Sequence, residues 1–249
     1  MSAIITRRIW TAKTLLIFLL LAVCFSAGAA QARECRQALV LALDVSGSVN
    51  STEFAQQIEG LANALDDAQV RALILQGSEA PVVLTVFEWS SRNHQHIIQP
   101  WISLDSTAAL DSAILRIRSH RKVRAGLKTA LGTALHFAAK LLQKQQHCWR
   151  KTIDVSGDGK NNIGATPKQV FALGAFEGIM VNALVVGDPA ATSVEGNGLS
   201  QAALRSYFET EVIRGPGAFA IIAQGYVDFA RAMQLKLMRE MSLPIFGRL

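Results

Sequence analysis

Ala38-Leu39-Val40-Leu41-Ala42-Leu43-Asp44-Val45-Ser46-Gly47-Ser48 decides the fold. Its first six residues are an unbroken apolar run, which reads as a strand buried on both faces, as in a parallel sheet. The next five place one carboxylate and two hydroxyls on a tight turn at the strand's C-terminal end. Hard oxygen donors at a strand-to-helix corner suit a hard divalent cation. In an open α/β sheet that edge is also where ligands bind.

Outward from this stretch the chain alternates strand and helix. Ser51 to about Leu75 has helical spacing of Phe54, Ile58, Leu61, Ala62 and Leu65, with Asn50 or Ser51 as cap and Glu53 in the first turn. Val82–Trp89 reads as a strand, and Ile97–Ile102 as an edge strand because it contains Pro100. Helices are expected at Asp105–Arg118 and Ala130–Gln146, a strand at Lys151–Ser156, and a helix from Pro167. Then come a strand at Ile179–Val186, a helix at Leu199–Phe208, a strand at Ala218–Ile222 and a helix at Tyr226–Met241. Such alternation predicts an α/β fold, a doubly wound and mainly parallel sheet flanked by helices.

The N-terminus sets the expected compartment. Arg7, Arg8 and Lys13 precede an apolar run from Thr14 to Phe25, and the small residues Ala27-Gly28-Ala29-Ala30-Gln31-Ala32 follow. This is the pattern of a secretory signal peptide over residues 1–32, with cleavage expected after Ala32. The run is short for a spanning helix, so no stable membrane anchor is expected after cleavage. The protein is expected to be exported, periplasmic or secreted, with residues 33–249 as a single domain of ample length for a full core.

The chain has 25 Lys+Arg against 19 Asp+Glu. Residues 1–32 hold three of the basic residues and no acidic one, so the remainder carries 22 against 19, about +3. No dense basic cluster survives, and nucleic acid is not expected as a partner. Arg116, Arg118, His120, Arg121, Lys122 and Arg124 form a local basic run, read as a solvated helix end and loop, or as a contact for an acidic partner.

Cys24 leaves with the signal, so Cys35 and Cys148 remain. Each sits just before a strand. If those strands are parallel neighbours, both thiols lie at the same sheet edge, and an exported chain then favours a disulfide between them. The alternative is two free buried thiols.

Asp44-x-Ser46-x-Ser48 has company. Thr129-Ala130-Leu131-Gly132 opens a later helix, and Asp158-Gly159 follows the strand Lys151–Ser156. With these in order, residues 38–241 resemble the von Willebrand factor A (VWA) domain and its metal-ion-dependent adhesion site (MIDAS). The likeness is greatest to uncharacterised exported bacterial proteins of that fold, through Asp154-Val155-Ser156-Gly157-Asp158-Gly159 and Arg214-Gly215-Pro216-Gly217-Ala218-Phe219. The resemblance implies a Rossmann-like VWA fold. It implies hydroxyl ligands at Ser46 and Ser48, a Thr ligand at Thr129 (with Thr133 the less well spaced alternative), and acidic residues at Asp44 and Asp158 that often act through water. It implies a divalent cation, Mg²⁺ first with Mn²⁺ or Ca²⁺ as alternatives, and a protein ligand that presents a carboxylate.

One position departs from that pattern, and another is unexpected where it stands. Gly157 stands where the family usually has Thr or Ser. Asp154 lies within an apolar strand, where a carboxylate needs a base or a proton. Asp154-x-Ser156-x-Asp158-Gly159 also copies the start of an EF-hand loop, but position 165, where the closing Glu would fall, is Ala. Signals for an enzyme are weaker. Ser48 lacks the Gly-x-Ser-x-Gly elbow, and His94, His96, His136 and His147 read as surface imidazoles or helix-end residues. The expected function is a non-enzymatic binding module, with a metal-dependent hydrolase acting on a phosphoester as the alternative.

Overall fold

In the computed structural model, residues 34–123, 125–187 and 200–242 are described. The expected signal peptide 1–32, Arg124 of the basic run and Leu199 of the expected helix at Leu199–Phe208 lie outside them. The strands are β1 (Cys35–Asp44), β2 (Val82–Trp89), β3 (Gln95–Ser103), β4 (Cys148–Gly157), β5 (Ile179–Gly187) and β6 (Ala220–Gln224). The helices are α1 (Ser51–Asp66), α2 (Ala68–Leu75), α3 (Thr107–Ser119), α4 (Leu131–Leu142), α5 (Pro167–Phe171), α6 (Gln201–Tyr207) and α7 (Phe229–Met241). A π turn (Phe208–Val212) extends α6, and a 3₁₀ turn (Tyr226–Asp228) leads into α7.

The sheet order is β3-β2-β1-β4-β5-β6, and every pairing is parallel except β2 with β3. This is the doubly wound order, with its topological switch between β1 and β4. Pro100 lies in β3, the antiparallel edge strand, whose pairing with β2 shifts register near it. On one face Leu39, Leu41 and Leu43 of β1 pack with α1, α2, α3 and α7. On the other, Ala38, Val40 and Ala42 pack with α4 and with residues from α6 and the π turn. Burying each such leucine stabilises the fold by about 1.5–3 kcal/mol. Among the described residues no helix is long and apolar enough to cross a membrane.

The structure revises three expectations. The helix expected over Ser51–Leu75 is two helices. Asp67 leaves helical geometry (ψ 137°), and its carboxylate accepts from the Gln69 and Val70 amides, so it caps α2 while ending α1. β4 starts at Cys148, three residues early, because Cys35 and Cys148 sit opposite each other in the β1–β4 register. Their Cα atoms are 4.5 Å apart and the two are bridged, as expected. The basic run is not simply solvated: Arg116 Nε donates to the Ile98 carbonyl (2.9 Å), Arg118 pairs with Glu59 and Asn63, and Lys122 Nζ donates to the Val49 carbonyl (2.6 Å).

Candidate metal centre

β1 delivers Asp44 to the C-terminal edge of the sheet, at the switch point. Beyond it the chain must leave the sheet within a few residues, and each is tied down. The Val45 amide donates to the Trp89 carbonyl (2.9 Å), and Gln57 Nε2 donates to the Asp44 carbonyl (2.9 Å). The Ser46 amide donates to Asp44 Oδ1 (2.8 Å), which closes the turn. The Gly47 amide donates to the Leu127 carbonyl (3.3 Å), and a Cβ at position 47 would lie only 2.8 Å from that oxygen. Glycine is thus required by a close approach of two backbones. Asn50 then caps α1 in a reciprocal capping box with Glu53.

The second loop follows α3. The Ala130 amide donates to the Ser90 carbonyl (2.8 Å), and the Gly126 amide to Ser90 Oγ (3.0 Å). The third follows β4 and is laced to the second by two asparagines. The Thr129 amide donates to Asn162 Oδ1 (2.8 Å), the Asn162 amide to the Thr129 carbonyl (2.9 Å), and the Gly132 amide to Asn161 Oδ1 (3.0 Å).

These loops bring all five of the sequence-expected oxygen residues together. Ser46 Oγ is 3.3 Å from Ser48 Oγ and 3.3 Å from Thr129 Oγ1. Ser48 Oγ donates to Asp158 Oδ1 at 2.8 Å. Asp44, Ser46 and Thr129 are buried, while Ser48 is exposed, so the cluster opens to solvent on one side. Thr133 Oγ1 lies instead against Gly164, 3.1 Å from where a Cβ there would stand. At Gly157 a Cβ would lie 3.2 Å from the Phe208 ring and 3.3 Å from Asp44 Oδ2, so a larger residue there requires those side chains to give by a few tenths of an ångström.

Asp44 Oδ2 is buried and has no hydrogen-bond partner. Burial first, and the nearby Asp158 carboxylate second, push the Asp44 carboxyl up to about 8, against the pull of its Ser46 bonds and of Lys122. Burial also raises Asp158, against its bond from Ser48. Tyr226 is raised too, by burial and then by Asp158 and Asp44. Its hydroxyl faces the Asp158 carboxylate without a hydrogen bond of ordinary geometry. An oxygen-only donor set with one unpartnered buried carboxylate oxygen is short of positive charge, and it fits a hard divalent cation.

Several contributors escaped the sequence reading. Gln57 interrupts the apolar stripe of α1, and a polar residue there was the available signal. Asn161-Asn162 directly follow the Asp158 loop, and consecutive amides in a loop were another. His94 and His120 each place Nε2 2.9 Å from one oxygen of the fully buried Glu88, and His96 stacks on His120. His94 is therefore not the plain surface imidazole its sequence suggests.

Solved structures share this architecture. Proximal thread matrix protein 1 from the mussel byssus matches at a TM-score of 0.57 and 15% identity, over 82% of this chain and 48% of that one. Another structure of the mussel protein has a zinc-occupied MIDAS motif (TM-score 0.56, 13% identity, covering 84% of this chain and 46% of that one). A von Willebrand factor type A protein from Catenulispora acidiphila matches at 0.57 and 13%, over 83% and 43%. The conserved hypothetical protein BatB from Bacteroides thetaiotaomicron matches at 0.52 and 17%, over 82% and 98%. The chain spans about half the length of the mussel protein. Comparison with curated proteins gives no match. Residues 34–245 match the family described as protein of unknown function, DUF1194. The chain therefore belongs to the DUF1194 family, and its fold is that of the von Willebrand factor A domain.

Proposed function

We propose that this protein is an exported, non-enzymatic binding module that engages an acidic group of a protein partner through a divalent cation, Mg²⁺ before Mn²⁺ or Ca²⁺. In this reading residues 1–32 are a signal peptide, and the chain from residue 33 works as one domain. Ser46, Ser48 and Thr129 would hold the ion with neutral oxygens, while Asp44 and Asp158 would supply the negative charge. The single observation that supports this most is the buried, unpartnered Asp44 Oδ2 beside three hydroxyls from two loops. The zinc-occupied MIDAS motif of the mussel protein supports it from outside.

A cation held this way supplies an electrophilic position toward the solvent-facing side, where a carboxylate can complete the coordination. The protein's own part is to hold the donors still. The Asn161-Asn162 clamp fixes Thr129, the Leu127–Gly47 contact fixes the turn between the two serines, and Gln57 anchors the backbone beneath them. The hydrolase alternative needs a base aimed at this cluster, and the His94 and His120 imidazoles are engaged with Glu88.

The test is affinity capture from envelope extract with the protein in millimolar Mg²⁺ or in chelator, alongside Ser48→Ala. A partner retained only by the wild-type protein with Mg²⁺ is the expected result. Capture that is indifferent to both chelator and Ser48→Ala would overturn the reading.

A further inference from the structure

Beneath α7, on the face of the sheet away from α4, lies a group of charges the cation site does not use. Lys236 and Glu240 of α7, one helical turn apart, both point inward and are fully buried. Opposite them, Asp154 of β4 and its register partner Asn182 of β5 point up from the sheet. Lys236 Nζ lies 2.5 Å from Asp154 Oδ2 and 3.8 Å from Glu240 Oε2, and it sits over the Phe219 ring, 5.2 Å from its centroid. Asn182 Nδ2 donates to Glu240 Oε1 (2.6 Å), and Asn182 Oδ1 accepts from the Phe219 amide (3.0 Å). Neither Asp154 oxygen nor Lys236 Nζ is hydrogen-bonded outside the trio of Lys236, Asp154 and Glu240.

This answers the question the sequence left at Asp154, since its partner is a base. It also poses another. Two carboxylates and one ammonium in an apolar interior are costly to keep ionised. Burial above all, with Glu240 adding to it and Lys236 opposing, pushes Asp154 up to about 8. Moving the proton from the ammonium to the Asp154 carboxylate leaves an amine and a carboxylic acid, both neutral and in contact. A nucleophile, an electrophile held against it, a neighbouring carboxylate and burial from solvent together favour amide formation.

We propose that Lys236 and Asp154 become joined by an isopeptide bond, formed by the protein on itself. The neutral Lys236 amine attacks Cγ of the protonated Asp154 carboxyl. The Nζ–Cγ bond forms and a Cγ–O bond breaks. Glu240 takes a proton from the attacking nitrogen and gives it to the departing hydroxyl, which leaves as water, so no oxidant or co-reactant is consumed. The product amide removes one buried charge of each sign. It also ties α7 covalently to β4, the strand that leads into Asp158. Asn182, held at Glu240, keeps that carboxylate in place and out of contact with solvent.

Mass spectrometry of the full purified chain, reduced to open the Cys35–Cys148 bridge, tests this. The expected intact mass is one water less than the sequence of the purified chain, counted from its own N-terminal residue, requires. Trypsin should yield residues 152–160 linked to residues 232–239, with no cleavage after Lys236. Glu240→Gln and Asp154→Ala should each restore the full mass. A wild-type chain of full mass, with residues 152–160 released as a free peptide, would overturn the proposal and leave a buried ion pair only. Loss of ammonia with a link to Asn182 would overturn the Asp154 assignment. Full linkage in Glu240→Gln would overturn the proton-carrying role of Glu240.

Discussion

At the scale of the residue, the centre depends on small groups in fixed places. Gly47 is the sharpest case, because an added methyl meets backbone rather than a movable side chain. Gly47→Ala should lower stability by about 1–3 kcal/mol and weaken cation binding, because the two serines flank the displaced position. Urea melts and a Mg²⁺ titration of the variant check both, and a variant as stable as wild type would refute the close approach. Asp44, Ser46 and Ser48 were legible because they are nearly adjacent and directly follow a strand. Thr129 and Asp158 were legible through motif order. Tyr226 and Lys236 were not. Each faces its acidic partner from far along the chain, and in sequence each looks like an ordinary helical residue.

At the scale of the element, strand positions were read closely and helix ends less so. The α1–α2 break went unseen because apolar spacing continues through Val70 and Ile74, although Asp67 carried a capping signal. The Cys35–Cys148 pairing was legible because a parallel β1–β4 neighbourhood puts both residues at one edge. Its loop is long (sequence separation 113), so loop-closure entropy gives roughly 4–5 kcal/mol, less any native strain. Cys35→Ser with Cys148→Ser should lose most of that in urea melts, and an unchanged midpoint would contradict it. The start of α7 gives a pH dependence. Asp228 accepts from both Arg231 Nε (2.6 Å) and Nη2 (2.5 Å), and this pairing holds its carboxyl below the ordinary value. A depressed carboxyl contributes stability above its unfolded pKa and loses it as the pH falls through the lower folded value. The contact lies at the surface, so it is worth under about 1 kcal/mol. Melting temperatures from pH 6 down to 2 should fall less steeply for Asp228→Asn than for wild type.

At the scale of the whole molecule, two apolar layers on a six-stranded sheet form the core, and the oxygen cluster sits at one edge of it. Chelation should leave the protein folded. A ligand at a hundredfold excess over its Kd adds about 2.7 kcal/mol, or roughly 5–10 °C in melting temperature for a domain of this size. A chelated protein that is unfolded would make the ion structural. The architecture was legible from strand–helix alternation, whereas the partner is not written in the chain at all, because only one side of that interface is encoded here. The most direct test of the central claim is isothermal titration of chelator-treated protein with Mg²⁺ and with Mn²⁺, beside Asp44→Ala. The account predicts one binding event on the wild-type protein and none on the variant; equal binding by both, or by neither, would contradict it.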